Sequence, residues 1–148
     1  MTNTDAAYVF DLKALRKVYS ERTSNALIDC VAEKAKAEQI LSASKIKDEL
    51  KDIAKEELDF LNGIDGFMNC WVNPPEDIYG MAVVINGMDG GARLDEADQW
   101  SLAIANVKKC YFVVERKGKK FQLIKEIARK LPNVRVITYQ DFKNTEGI

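Results

Sequence analysis

The chain has 148 residues, 47% hydrophobic and 30% charged, with both signs mixed and a formal net charge of −1. That length suits one domain with a real core and excludes wholesale disorder. The absence of any histidine removes Ser-His-Asp and Cys-His nucleophilic systems, HExxH zinc sites and nucleases with a histidine general base, leaving carboxylates, lysines, hydroxyls or an oxygen-held metal.

Residues 7–10 (AYVF) read as a short buried strand ending at Asp11. Leu12, Leu15, Val18 and Tyr19 follow at helical spacing, and residues 24–36 carry Ala26, Leu27, Cys30, Val31 and Ala35 on one helix face. Residues 39–42 read as a second strand. Ser44 then suits the N-cap of one long helix over 45–61, with Ile46, Leu50, Ile53, Ala54, Leu58 and Leu61 inward and Asn62-Gly63 ending it. After the break at Asn73-Pro74-Pro75, a helix opens at Pro75-Glu76-Asp77 and runs to about residue 86. Gly87, Gly90 and Gly91 read as a flexible connection.

A helix starts at Asp95, with Ala97, Trp100, Ser101, Ile104 and Ala105 on one face; Trp100 is expected in the core. Residues 110–114 (CYFVV) are the clearest strand. A basic amphipathic helix over 119–131, a Pro132-Asn133 turn, a strand over 134–137 and a short helix over 139–143 complete the chain. Alternating strands and helices predict an α/β domain in three layers, residues 1–148, with a mostly parallel sheet of about four short strands flanked by helices. In such sheets ligands bind beyond the carboxyl ends of the strands, where Asp11 falls. No GxGxxG or GxxxxGK[ST] motif supports a glycine-rich nucleotide loop.

The near-neutral total hides a division. Residues 106–143 hold eleven lysines and arginines against three acids, a net +8, whereas residues 1–105 carry −8. Acidic and basic parts in one small domain suit a polyanion binder with a metal site, though solvated helix faces give the same count. Cys30, Cys70 and Cys110 have unrelated flanks, an odd count and no CxxC pair, so reduced buried thiols are expected, not disulfides or a zinc-thiolate site. No apolar run approaches the roughly 18–20 residues that span a bilayer. The opening MTNTDAAYVFD lacks the parts of a signal peptide. A cytoplasmic protein without membrane contact is the expectation.

Three segments carry the chemistry: YVFD, a strand tip with one acid; LSASKIKDEL, a strand and turn leading to a helix with Glu49; and LDEADQWSLAIA, a helix whose first turn bears Asp95, Glu96 and Asp98. Singly, each acid reads as a cap or dipole partner. Together, with the later YFVV and RVITYQDF, their order resembles the PIN-domain family of metal-dependent nucleases over nearly the whole chain. The resemblance implies that Asp11, Glu49 and Asp98 are catalytic and hold Mg²⁺ or Mn²⁺, with Glu115 as a displaced fourth carboxylate. It implies phosphodiester hydrolysis of single-stranded RNA by an endoribonuclease like the toxins of toxin–antitoxin pairs. A protein inhibitor or a homodimer contact, with Met68, Met81 and Met88 as adaptable packing groups, belongs to the same implication.

Physically, grouped carboxylates resist ionising together unless a cation neutralises them, and Mg²⁺ accepts a few carboxylates completed by water and phosphate. Lys13, Lys117, Lys119, Lys120 and Arg129 are the candidate nucleic-acid contacts. Two positions depart from the family. Lys13 stands where a small polar residue is usual, and Glu115 and Lys117 stand where Thr or Ser and then an acid are usual. Lys13 and Lys117 either pair with the carboxylates, leaving a catalytically silent RNA- or protein-binding module, or point outward and clamp a phosphate. Trp71 is a candidate for base stacking. A receiver-type acceptor domain is a third reading, lacking paired acids beside the first strand.

Overall fold

Short runs of β-branched and aromatic residues, each followed by a helical period, dictate the alternation seen in the computed structural model, which describes residues 6–73 and 75–148. β1 (Tyr8–Phe10) leads into α1 (Leu12–Ser20) and α2 (Asn25–Lys36), and β2 (Ile40–Ala43) into α3 (Ser44–Ile53) and α4 (Lys55–Asn62). A 3-10 turn (Phe67–Cys70) precedes β3 (Trp71–Val72); α5 (Glu76–Asn86) and a second 3-10 turn (Gly91–Arg93) precede α6 (Glu96–Lys108). β4 (Tyr111–Val114), α7 (Lys119–Ala128), β5 (Arg135–Thr138) and α8 (Tyr139–Glu146) follow.

Every strand pair is parallel, in the order β3-β2-β1-β4-β5, with Tyr8 opposite both Ile40 and Tyr111, and Ser42 opposite Trp71. The parallel α/β sheet agrees with the sequence reading, but five strands are present among the described residues, not about four. The additional strand, β3, is two residues long and has no hydrophobic run to announce it. Its Trp71 indole N–H donates to Asn62 Oδ1 at 2.8 Å, and its ring meets Phe67 edge-on at 5.5 Å. Trp71 is thus a half-buried residue of the edge strand, held in orientation by these two contacts. The strand order also differs from the 2-1-3-4-5 order of flavodoxin-like folds, which a receiver-type domain would need.

The single long helix expected over 45–61 is two. Ala54 adopts φ −156, ψ 65 and ends α3 as α4 begins. The unbroken three- and four-residue spacing conceals this change of axis, which leaves Ile53 58% exposed and turns Leu58 and Leu61 into the core. It also brings buried Glu57 against α1, where Arg16 donates through Nε at 3.2 Å and Nη2 at 3.1 Å. Ser44 is the first helical residue; Ala43 is the N-cap, with no side-chain bond.

The glycines of 87–91 do not make a loose connection. Gly90 needs its φ of +81, and a Cβ on Gly91 would collide with the carbonyl oxygen of Ile85. Gln99 of α6 donates to Asn86 Oδ1 at 2.9 Å and to the Gly91 carbonyl at 3.0 Å. The segment is therefore tied to α6, a largely buried helix that lies across β1, β2 and β4. Trp100 is half-buried at the edge of the core, with the Lys45 ammonium 6.0 Å from its ring. Met81 and Met88 pack partly against the core, and Met68 is exposed.

At the amino end of the sheet, α8 is held by a buried polar network. Glu146 accepts the Tyr8 hydroxyl, and its other oxygen lies 3.6 Å from the Lys34 ammonium, which also donates to the Ala6 carbonyl at 3.0 Å. All three cysteines are free thiols; Cys70 and Cys110 are buried and Cys30 is half-buried. Burial pushes the Cys70 thiol up to about 12 and the Cys30 and Cys110 thiols up to about 11. Among the described residues no helix is long and apolar enough to cross a membrane.

Candidate functional site

The strand order reverses between β1 and β4, since the chain leaves β1 toward β2 and β3 and returns to the other side for β4 and β5. The carboxyl end of such a junction is the usual ligand crevice of an open parallel sheet. Asp11 stands there. Its N–H donates to the Val113 carbonyl of β4 at 3.0 Å, and the buried Ser42 hydroxyl of β2 donates to the Phe10 carbonyl at 2.8 Å, so both neighbouring strands fix the tip. The Asp11 carboxylate accepts from the Ala14 N–H at 2.8 Å as the N-cap of α1. It is 3% exposed. Burial raises its pKa to about 7 against the opposing Ala14 hydrogen bond and the Lys120 charge, with Asp98 and Glu115 adding to the rise.

Asp98 comes from the first turn of α6, beneath the N-cap Asp95, whose Oδ1 accepts the Asp98 N–H at 2.8 Å. It too is 3% exposed, and its Oδ2 lies 2.9 Å from the Lys120 ammonium. Burial outweighs that ion pair and pushes its pKa up to about 6. Lys120 also lies 4.0 Å from Asp95 Oδ2. Partial burial opposes the Lys120 charge, but Asp98, Asp11 and Asp95 together raise its pKa. Glu49, half-buried on α3, joins the same field: burial and then Asp95 raise its pKa, while Lys120 and Lys45 lower it.

The α7 ammonium thus pairs with the α6 acids Asp98 and Asp95, and its charge reaches Asp11 at the tip of β1 and Glu49 on α3. The Asp98 charge adds to the rise at Asp11, and Glu49 feels Asp95 and Lys120. A pocket of about 190 Å³ opens beside Asp11, walled by Lys13, Glu115, Lys117, Lys119 and Lys120. A second, of about 350 Å³, lies beside Asp98, between Arg93, Asp95, Lys119 and Lys120. Lys13 and Lys117 are exposed and form no ion pair among the described residues. The ammonium inside the acid cluster comes from Lys120 instead. Arg129 caps the far end of α7, about 15 Å from Lys119 at the helical rise, and walls neither pocket. A hollow of about 600 Å³ at the amino ends of β4 and β5 has no carboxylate in its wall.

Among the described residues no group of three or more cysteines or carboxylates is arranged to hold a metal. The Asp11–Asp98 pair nevertheless offers oxygen donors only. That donor set fits a Mg²⁺ or Mn²⁺ ion of the kind held by one or two carboxylates and completed by water and a substrate phosphate. The Lys120 ammonium already holds a cation's position against Asp98, 2.9 Å from its Oδ2.

Lys120 in this role, Asp95 as cap and second partner, and Arg93 as pocket wall were not apparent as site residues from the sequence. The available signal was the pair of lysines opening α7 after Gly118, where the helix has no side-chain cap and no first-turn acid. Lysines there run against the helix dipole and require another source of stabilisation. Compared with protein-family models, curated proteins and solved structures, the chain matches none.

Proposed function

We propose that the chain is a PIN-like, metal-dependent endoribonuclease domain that hydrolyses phosphodiester bonds of single-stranded RNA. One observation carries the reading: Asp11 and Asp98, each 3% exposed, line two pockets that share Lys119 and Lys120 in their walls, with Asp11 at the carboxyl-end junction of β1 and β4. Their origin, one acid at the first strand's tip and one in the first turn of a later helix with Glu49 between them in sequence, agrees with the PIN pattern.

Asp11 and Asp98 would hold the ion, and Glu49 or Asp98 would orient the attacking water. A bound Mg²⁺ or Mn²⁺ supplies Lewis acidity at the phosphate and a more acidic water. Lys13, Lys117 and Lys119 neutralise the phosphates on either side of the scissile bond, and Arg93 does so on the α6 side. The test is cleavage of a mixed single-stranded RNA pool with Mn²⁺, with Asp11→Asn as the control. Metal-dependent cleavage that disappears in the variant supports the proposal; equal cleavage by both proteins overturns the acid mechanism.

A second reading, a silent binding module, draws support from the Lys120–Asp98 pair at 2.9 Å, which already neutralises one acid. On that reading neutralising Lys119 and Lys120 abolishes RNA binding, Asp98→Asn leaves it intact, and no RNA is cleaved at any Mn²⁺ concentration.

A further inference from the structure

Two carboxylates so thoroughly buried cannot both ionise without a nearby cation. The fold already supplies one from within. Lys120, the second residue of α7, reaches Asp98 Oδ2 at 2.9 Å and Asp95 Oδ2 at 4.0 Å. The other cations around the two pockets, Lys13, Arg93, Arg116, Lys117 and Lys119, make no such pair among the described residues. Lys120 is thus distinguished from its neighbours by position, not by charge alone.

Its side chain is also free to leave. It remains 48% exposed, whereas Asp98 is 4% exposed by the same measure, so rotation of the long stem moves the ammonium outward while the acid stays put. Lys120 forms part of the wall of both pockets. An outward rotamer would therefore carry its charge toward a bound phosphate.

We propose that Lys120 is the built-in counter-ion of buried Asp98, in a pocket wall it shares with Asp11, and that a divalent cation and the Lys120 ammonium occupy that position in alternation. The phosphate half of this exchange rests on the nuclease reading above; the competition between lysine and metal does not. Competition makes the site weak for metal while Lys120 is seated. A phosphate that draws Lys120 away strengthens metal binding, and metal strengthens phosphate binding by the same factor.

The experiment is a Mn²⁺ titration of the full chain without RNA, read by the loss of free-ion paramagnetic resonance signal. Wild type is compared with Lys120→Met, Lys120→Gln and Lys120→Arg. The two neutral variants are expected to bind Mn²⁺ about 10- to 100-fold more tightly, the range over which groups around metal ligands alter affinity. Lys120→Arg, which keeps the charge, should stay as weak as wild type, and Asp98→Asn added to Lys120→Met should abolish the gain. Two neutral side chains of different shape prevent one poorly folded variant from deciding the outcome.

Equal affinity in wild type and in both neutral variants, whether tight or undetectable, overturns the proposal. Tight binding by the neutral variants without RNA cleavage by any form leaves the counter-ion role standing and removes the nuclease reading. Equal, tight binding with Mn²⁺-dependent cleavage does the reverse.

Discussion

Replacing Asp11 by Asn should make the protein more stable at neutral pH, in proportion to the charge that the native site keeps buried. Asn caps a helix about as well as Asp, so the bond from the Ala14 N–H at 2.8 Å survives the change. What disappears is the ionisation. Asp11 titrates near 7 in the folded protein, from an ordinary value of 3.8, with burial as the main cause. Below about pH 4 the folded carboxyl and its unfolded counterpart are both protonated, and the stability associated with the raised pKa is fully present. As pH rises toward 7 the unfolded chain gives up the proton first, so that stability drains away until the folded group ionises too. At 1.36 kcal/mol per pH unit, the shift from 3.8 to about 7 amounts to about 4 kcal/mol at most. Urea unfolding of both proteins in chelator, from pH 4 to pH 8, measures the difference. Relative to wild type, Asp11→Asn should gain roughly 2–4 kcal/mol across that interval, the lower figure allowing for relaxation around Lys120 and Asp98. Curves that stay parallel within about 0.5 kcal/mol would mean that Asp11 ionises freely and that no charge is held at a cost there.

Three further outcomes are expected. Glu146→Gln takes the carboxylate from the buried Lys34 and Tyr8 network and should cost about 3–5 kcal/mol by chemical denaturation; adding Lys34→Met should recover part of the loss, and a strictly additive double variant would refute the coupling. Gly91→Ala forces a Cβ against the Ile85 carbonyl and should destabilise by about 1–3 kcal/mol while loosening the start of α6, visible as faster amide exchange at Asp95 to Asp98. Lys117→Ala and Lys119→Ala should each weaken single-stranded RNA binding irrespective of sequence and lower the slope of log K against log salt by about 0.7, and an unchanged slope would remove that residue from the phosphate path.

Much of the fold was legible because the chain states it twice, once in period and once in punctuation. β1 and β4 lie in apolar runs that end at Asp11 and Glu115, and α5 starts at Glu76 and ends at Asn86 where the prolines and Gly87 mark it. What escaped has physical causes. β3 is too short for a period of two to develop, and its pairing with Ser42 and Ala43 is a tertiary event. The break at Ala54 lies inside an uninterrupted helical period, at a residue with no capping signal. The glycines near 90 advertise freedom in sequence, yet Gly91 is required for a close approach. In the site, Asp11 and Asp98 were readable from strand end and helix start. Lys120 was readable as one of five candidate nucleic-acid contacts, not as the partner of an acid. Its selection over Lys13 and Lys117 depends on where α7 begins relative to α6, which no local pattern encodes.

That selection bears on whether the acid pair is more than structural. Helix capping alone does not need what Asp11 provides. Elsewhere the chain caps α2 with Ser24 and α8 with Thr138, neutral hydroxyls that accept the same backbone bonds. Asp95 caps α6 as a carboxylate, but an exposed one that pays no burial penalty. Asp11 performs the same task while 3% exposed, so its charge is an addition that capping does not explain. Asp98 caps nothing in α6 and is equally buried. Two carboxyl groups are thus buried where neither helix requires their charge, with a lysine set on one of them against its own helix dipole. On the proposed reading, that arrangement links the uptake of a cation to the uptake of a phosphate, a link that helix capping alone does not call for.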